Sequence, residues 1–112
     1  MPIREDLIPI LEALVARIVP ADQDPGAREL GAVGFIQARI GEGPELQAIY
    51  EAGLQALAEG GFLGLSDAEQ DENLREVDRL NPNFLSIATT HCIEAVYVQP
   101  EGFRMVGFEV TV

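Results

Sequence analysis

His91 and Glu94 are the side chains of this sequence that come nearest to chemistry. Three positions apart on a helix, an imidazole and a carboxylate can reach one metal ion or one proton. Bundles that hold two bridged metals need such a pair twice, with further carboxylates, and His91 is the chain's one histidine. It also falls on an apolar helical stripe, which marks it as a hydrogen-bonded core residue. Cys92 adjoins it in sequence, but neighbours on a helix diverge by about 100°, so the two make no nucleophile–base pair. Cys92 reads as a small buried hydrophobe, and both residues are assigned to the structural core. Asp22-Gln23-Asp24 opens like a calcium loop, yet Pro25 and Gly26 follow where ligands are needed, and Val33 stands at the position that requires glutamate. That segment is a turn. Gly41-Glu42-Gly43 lacks the lysine and spacing of a phosphate loop. No catalytic, cofactor-binding or metal-binding set can be assembled.

The elements that would position these residues are helices separated by proline and glycine. Leu7, Ile10, Leu11, Leu14 and Ile18 form the stripe of a first helix over about Leu7–Val19, with Asp6 as N-cap and Pro9 in the first turn; Pro20 stops it. A second helix over about Ala27–Ile40 has an apolar face and a face of small residues, Ala27, Gly31, Gly34 and Ala38, suited to close approach by a neighbour. Pro44 opens a third helix with Tyr50, Gly53, Leu54 and Leu57 inward, and Gly60 and Gly61, which accept positive φ, end it. Ser66-Asp67-Ala68-Glu69 is a capping box. The helix it starts is heavily charged and outermost, and only Leu74, Val77 and Leu80 can bury. Asn81-Pro82 begins a fifth helix to about Val98. Phe84, Leu85, Ala88, His91, Cys92, Ala95 and Val96 share one broad face, and Ile93 and Tyr97 lie on the other side. Such a helix is either central or shared with a partner. The tail after Pro100 is extended, alternating at Phe108, Val110 and Val112. The expected fold is therefore all-α: one domain, residues 1–112, built as a bundle of about five helices with an extended C-terminal tail.

Composition excludes several function classes. Seven arginines, no lysine and a formal charge of −12 repel phosphate backbones and anionic lipid, which argues against nucleic-acid and membrane partners. The apolar runs are too short to span a bilayer, so direct insertion is not expected. Residues Met1–Asp6 show no secretory pattern. The expected location is the cytoplasm, or the periplasm if a leader is removed or a partner carries the chain.

Three stretches together resemble the gluconate 2-dehydrogenase subunit 3 family, the small subunits of membrane-linked flavin dehydrogenases. They are Ile18-Val-Pro-Ala-Asp-Gln-Asp-Pro-Gly-Ala-Arg-Glu-Leu-Gly31 running on to Ile36; Phe62-Leu-Gly-Leu-Ser66 with Glu69 and Gln70; and His91-Cys-Ile-Glu-Ala-Val-Tyr97 with Pro100, Gly107 and Phe108. Cys92 stands where the family has threonine and Ala95 where it has glycine. The family's glycine-glycine-asparagine turn, its tail tryptophan and its twin-arginine leader are absent. The resemblance implies a non-catalytic accessory subunit that binds and stabilises a glucose-methanol-choline-type flavoprotein acting on sugars or polyols. FAD would sit in that partner, no cofactor in this chain, and a cytochrome c subunit could complete the complex. The alternative is an independent helical protein-binding module, such as a homodimer, with no dehydrogenase partner.

The expected partner surface is the second face of the fifth helix and the tail: Ile93, Tyr97, Phe103, Arg104, Met105 and Phe108. Aromatic residues and arginine near the end of a chain with few aromatics are what interfaces favour. Far-ultraviolet circular dichroism of the purified chain should be dominated by helix, with no stoichiometric flavin or metal bound. A strand-dominated spectrum or co-purifying flavin would overturn this reading.

Overall fold

The computed structural model describes residues 4–20 and 26–97. A 3-10 turn, Glu5–Leu7, leads into α1 (Ile8–Ile18); α2 (Ala32–Ile40), α3 (Pro44–Glu59), a second 3-10 turn (Phe62–Gly64), α4 (Asp67–Leu80) and α5 (Pro82–Tyr97) follow. The fold is the expected all-helical bundle. The C-terminal tail and its alternating end lie outside the described residues, as do Asp22, Asp24 and Pro25 of the acidic turn.

The stripe residues Leu7, Ile10, Leu11 and Leu14 are all buried, but the entry into α1 differs from expectation. Asp6 is not its N-cap: the chain tightens through a 3-10 turn, where the Leu7 N–H donates to the Arg4 carbonyl at 3.0 Å. The Asp6 carboxylate lies 3.5 Å from the Arg4 guanidinium. Pro9 falls in the first turn of α1, where no intrahelical donor is required. At the other end of α1, the half-buried Arg17 reaches the Asp71 carboxylate and the Asp67 carbonyl, tying α1 to the start of α4.

The second helix starts five residues later than its pattern suggests. Gly31 has φ +86°, a left-handed conformation that stops α-helix from running through it. Residues 26–31 instead make turns, with the Ala32 N–H donating to the Ala27 carbonyl at 2.9 Å. The small-residue face of α2 is not an approach surface either: a Cβ at Gly31 or Gly34 would meet nothing within 4 Å. Close approach occurs at Gly53 on α3, where a Cβ would lie 2.2 Å from the Phe84 ring.

At the end of α3 only Gly61 takes positive φ, at +73°; Gly60 is right-handed and lies against the Asn73 side chain. Helix α4 supplies what that helix end lacks. Gln70 Nε2 donates to the Phe62 carbonyl at 2.9 Å, and Asn73 Nδ2 to the Leu57 carbonyl at 3.4 Å. The Ser66–Glu69 capping box is present in both directions. Of the three apolar residues on α4, Val77 is buried and Leu74 partly so, but Leu80 is 58% exposed, because it sits at the turn into α5 beyond the packed stripe. Helix α5 packs against α1, α2, α3 and α4, with Phe84, Ala88, Cys92, Ala95 and Val96 buried. It is the central element.

Two glycine substitutions separate these packing roles. Gly53→Ala should destabilise the protein by about 1–3 kcal/mol, because Phe84 must leave its position. Gly34→Ala, in open space on a helix, should stabilise it by about 0.5–1 kcal/mol. Urea midpoints at constant m-value measure both, and equal effects at the two positions would refute the Gly53–Phe84 contact.

Candidate functional site

Tyr50 lies on the inward stripe of α3 and is fully buried; His91, on α5, is half-buried at the edge of the core. A buried phenol left without a hydrogen bond costs about 1–3 kcal/mol. His91 supplies the acceptor, with Tyr50 Oη 2.7 Å from Nδ1. The rings stack at a 5.8 Å centroid separation, 11° apart in plane. Phe84 meets Tyr50 edge-on at 5.8 Å, and Phe35 of α2 meets His91 at 6.4 Å. The Arg39 guanidinium lies 5.1 Å from the centre of the Phe35 ring. One row of rings thus joins α2, α5 and α3.

Burial acts on both groups of the central hydrogen bond. Burial, with smaller contributions from Cys92 and Glu94, holds the Tyr50 phenol well above its usual range, so it keeps its proton. Burial also lowers the His91 pKa, against the pull of the Glu94 carboxylate. A buried phenol needs an acceptor for its O–H, and the imidazole tautomer with its proton on Nε2 offers Nδ1 for that role. The Cys92 thiol is pushed up to about 12 by burial and has no exposure. It is no thiolate at neutral pH.

His91 borders an open groove of about 510 Å³ between the end of α2, the start of α3 and α5. Arg39, Glu42, Glu45 and Glu94 give it charged edges, and Leu46 and Ile49 give it apolar ones. At Ile49 it adjoins a second hollow of about 350 Å³, lined by Ala48, Ala52, Leu80, Pro82 and Phe84. Among the described residues no three His, Cys, Asp or Glu side chains are placed to hold a metal ion. The arrangement offers hydrogen bonds, carboxylates and apolar surface to a docked chain; it places no activated nucleophile in the groove.

Of the expected partner residues, Ile93 is 42% exposed. On α5 it points about 160° away from His91 and about 100° away from Glu94, the two residues of this helix that line the groove. Tyr97 closes α5 with its side chain outside the described residues, and Phe103, Arg104, Met105 and Phe108 lie outside them altogether. The structure brings together His91 and Glu94, as their spacing requires, and adds Tyr50, Arg39, Glu42 and Glu45, which sequence reasoning did not join to them. A signal existed for Tyr50: a phenol on an inward stripe needs a buried acceptor, and His91 sits on the only other inward stripe with a polar ring.

No helix among the described residues is long and apolar enough to cross a membrane. The family model described as gluconate 2-dehydrogenase subunit 3 matches residues 5–109. No curated protein and no solved structure matches the chain.

The burial of His91 beside Tyr50 makes stability depend on pH. The His91 pKa is depressed on folding, so its contribution is complete above the unfolded imidazole value of about 6.5 and is lost as pH falls through the folded value. The urea midpoint of the wild type should therefore drop relative to that of His91→Asn, which keeps an acceptor near Nδ1 but does not titrate, as pH is lowered from about 7.5 to about 5. Tyr50→Phe should cost about 1 kcal/mol at neutral pH. Parallel midpoints for wild type and His91→Asn would refute the assignment.

Proposed function

The chain belongs to the gluconate 2-dehydrogenase subunit 3 family, and on that footing we propose that it is a non-catalytic accessory subunit. It binds and stabilises a glucose-methanol-choline-type flavoprotein dehydrogenase that oxidises sugars or polyols. The observation that carries this reading is the family match itself, which runs from before α1 to beyond the end of α5. The partner holds the FAD, and a cytochrome c subunit takes the electrons onward. The side-chain chemistry agrees with a binding role: Cys92 is spent on packing, and His91 Nδ1 on the Tyr50 phenol.

The contact surface in this reading is the outward side of α5, with Ile93 and Tyr97, continued by Phe103, Arg104, Met105 and Phe108. Ile93 supports it, as one of few large apolar side chains exposed among the described residues. Covering the part of this side chain that is still exposed contributes about 1 kcal/mol. Co-expression with a candidate glucose-methanol-choline-type flavoprotein tests the proposal. Wild type should co-purify with it and raise its thermal stability. Tyr97→Ala and a chain ending at Pro100 should stay folded and lose the flavoprotein. A flavoprotein that matures equally well without this chain overturns the accessory role; normal binding by both variants moves the surface elsewhere.

A further inference from the structure

The groove beside His91 and the hollow at the turn between α4 and α5 share Ile49 in their walls, and make two adjoining halves of a depression along α3. Its halves differ in chemistry. Around His91, three carboxylates, Glu42, Glu45 and Glu94, stand against one guanidinium, Arg39, and Arg39 already pairs with Glu42 at 3.3 Å. The half at the turn between α4 and α5 is mainly apolar, with Asn81 and Asn83 among its walls. Ala48 and Ala52, both exposed and one helical turn apart, leave a notch beside Leu80, Pro82 and Phe84.

Resting on the accessory-subunit reading, we propose that this depression seats a cationic–apolar segment of the catalytic subunit. An arginine or lysine of that segment lies among Glu42, Glu45 and Glu94, and a large apolar side chain farther along fills the Ala48–Ala52 notch. Charge complementarity argues for this occupant. The carboxylates outnumber the guanidinium at the site, and a chain of net charge −12 draws cationic surface toward it. The same field turns away nucleic acid and anionic lipid. The notch supplies what charge does not: covering Leu80 and the two alanines removes apolar surface from water, where rim ion pairs add little. His91, whose Nδ1 contacts Tyr50, also lines the acidic half and adds a polar ring edge to its wall. Because the depression and Ile93 lie on different sides of α5, it is a second contact, distinct from the one on the outward face.

The purified catalytic subunit, titrated with this chain at low and high salt, tests the proposal. Wild-type affinity should fall as salt rises. Glu45→Arg with Glu94→Arg should weaken binding about tenfold and flatten the salt dependence, and Ala52→Trp, which fills the notch, should weaken it about tenfold with the salt dependence intact. Glu59→Arg, an exposed charge reversal away from the depression, should stay within about twofold. Circular dichroism and melting temperature confirm that each variant is folded. Wild-type binding with all variants unaffected overturns the docking site and leaves the accessory role standing. A wild type that does not bind removes both. Variants that change only self-association would make the depression a contact between copies and overturn the proposal.

Discussion

Burying the Tyr50 hydroxyl is the constraint on which the middle of this bundle depends. A phenol in the core must find an acceptor, and the His91 imidazole on α5 provides it across the α3–α5 contact. One turn along α3, Gly53 lets the Phe84 ring approach so closely that no Cβ would fit. A polar bond and a close approach thus fix both the distance and the register of the two helices. Helix α5 can then serve as the post on which α1, α2 and α4 also lean.

The energetic weight lies in this interior rather than on the charged exterior. Leu11, Leu14, Ile36, Leu54, Leu57 and Phe62 have no exposed surface, and full burial of such a side chain contributes about 1.5–3 kcal/mol. The Arg75–Glu72 and Arg79–Glu76 pairs on α4 are exposed i,i+3 contacts, screened by solvent, that add little to stability. Their role is to keep the outer face of α4 soluble and helical. The Glu69 carboxyl, held below its usual range mainly by the Ser66 backbone N–H, acts locally in the same way. That contribution is present above the unfolded carboxylate range and fades as acid protonates it.

What the sequence made legible follows from how local each signal is. The Ser66–Glu69 box, the prolines that open α3 and α5, and the apolar stripes of α1 and α5 are written within a few residues, and the structure repeats them. The glycines were less readable. Gly31, Gly34 and Gly53 look alike as letters, but one turns the chain left-handed, one stands in open space, and one receives a phenylalanine from 31 positions away. Asp6 carried a capping signal that the 3-10 entry displaced, and Leu80 continued a stripe past the point where the bundle stops covering it. Of the candidate site, the His91–Glu94 spacing was local and visible. The Tyr50 contact spans 41 positions, and the acidic border of the groove is set by where α2 ends and α3 begins.

The placement of the reactive residue types bears on the proposed role in a way that composition does not. Cys92 is committed to the interior of α5, where burial holds its thiol protonated. His91 spends one nitrogen on a structural bond, and burial holds it neutral at the pH where a charged imidazole would be useful to acid catalysis. What the described residues offer a docked chain lies on the surface: the Glu45 and Glu94 carboxylates and an alanine notch along one depression, and an exposed isoleucine elsewhere on α5. A bundle organised in this way is equipped to be held by another protein from two directions.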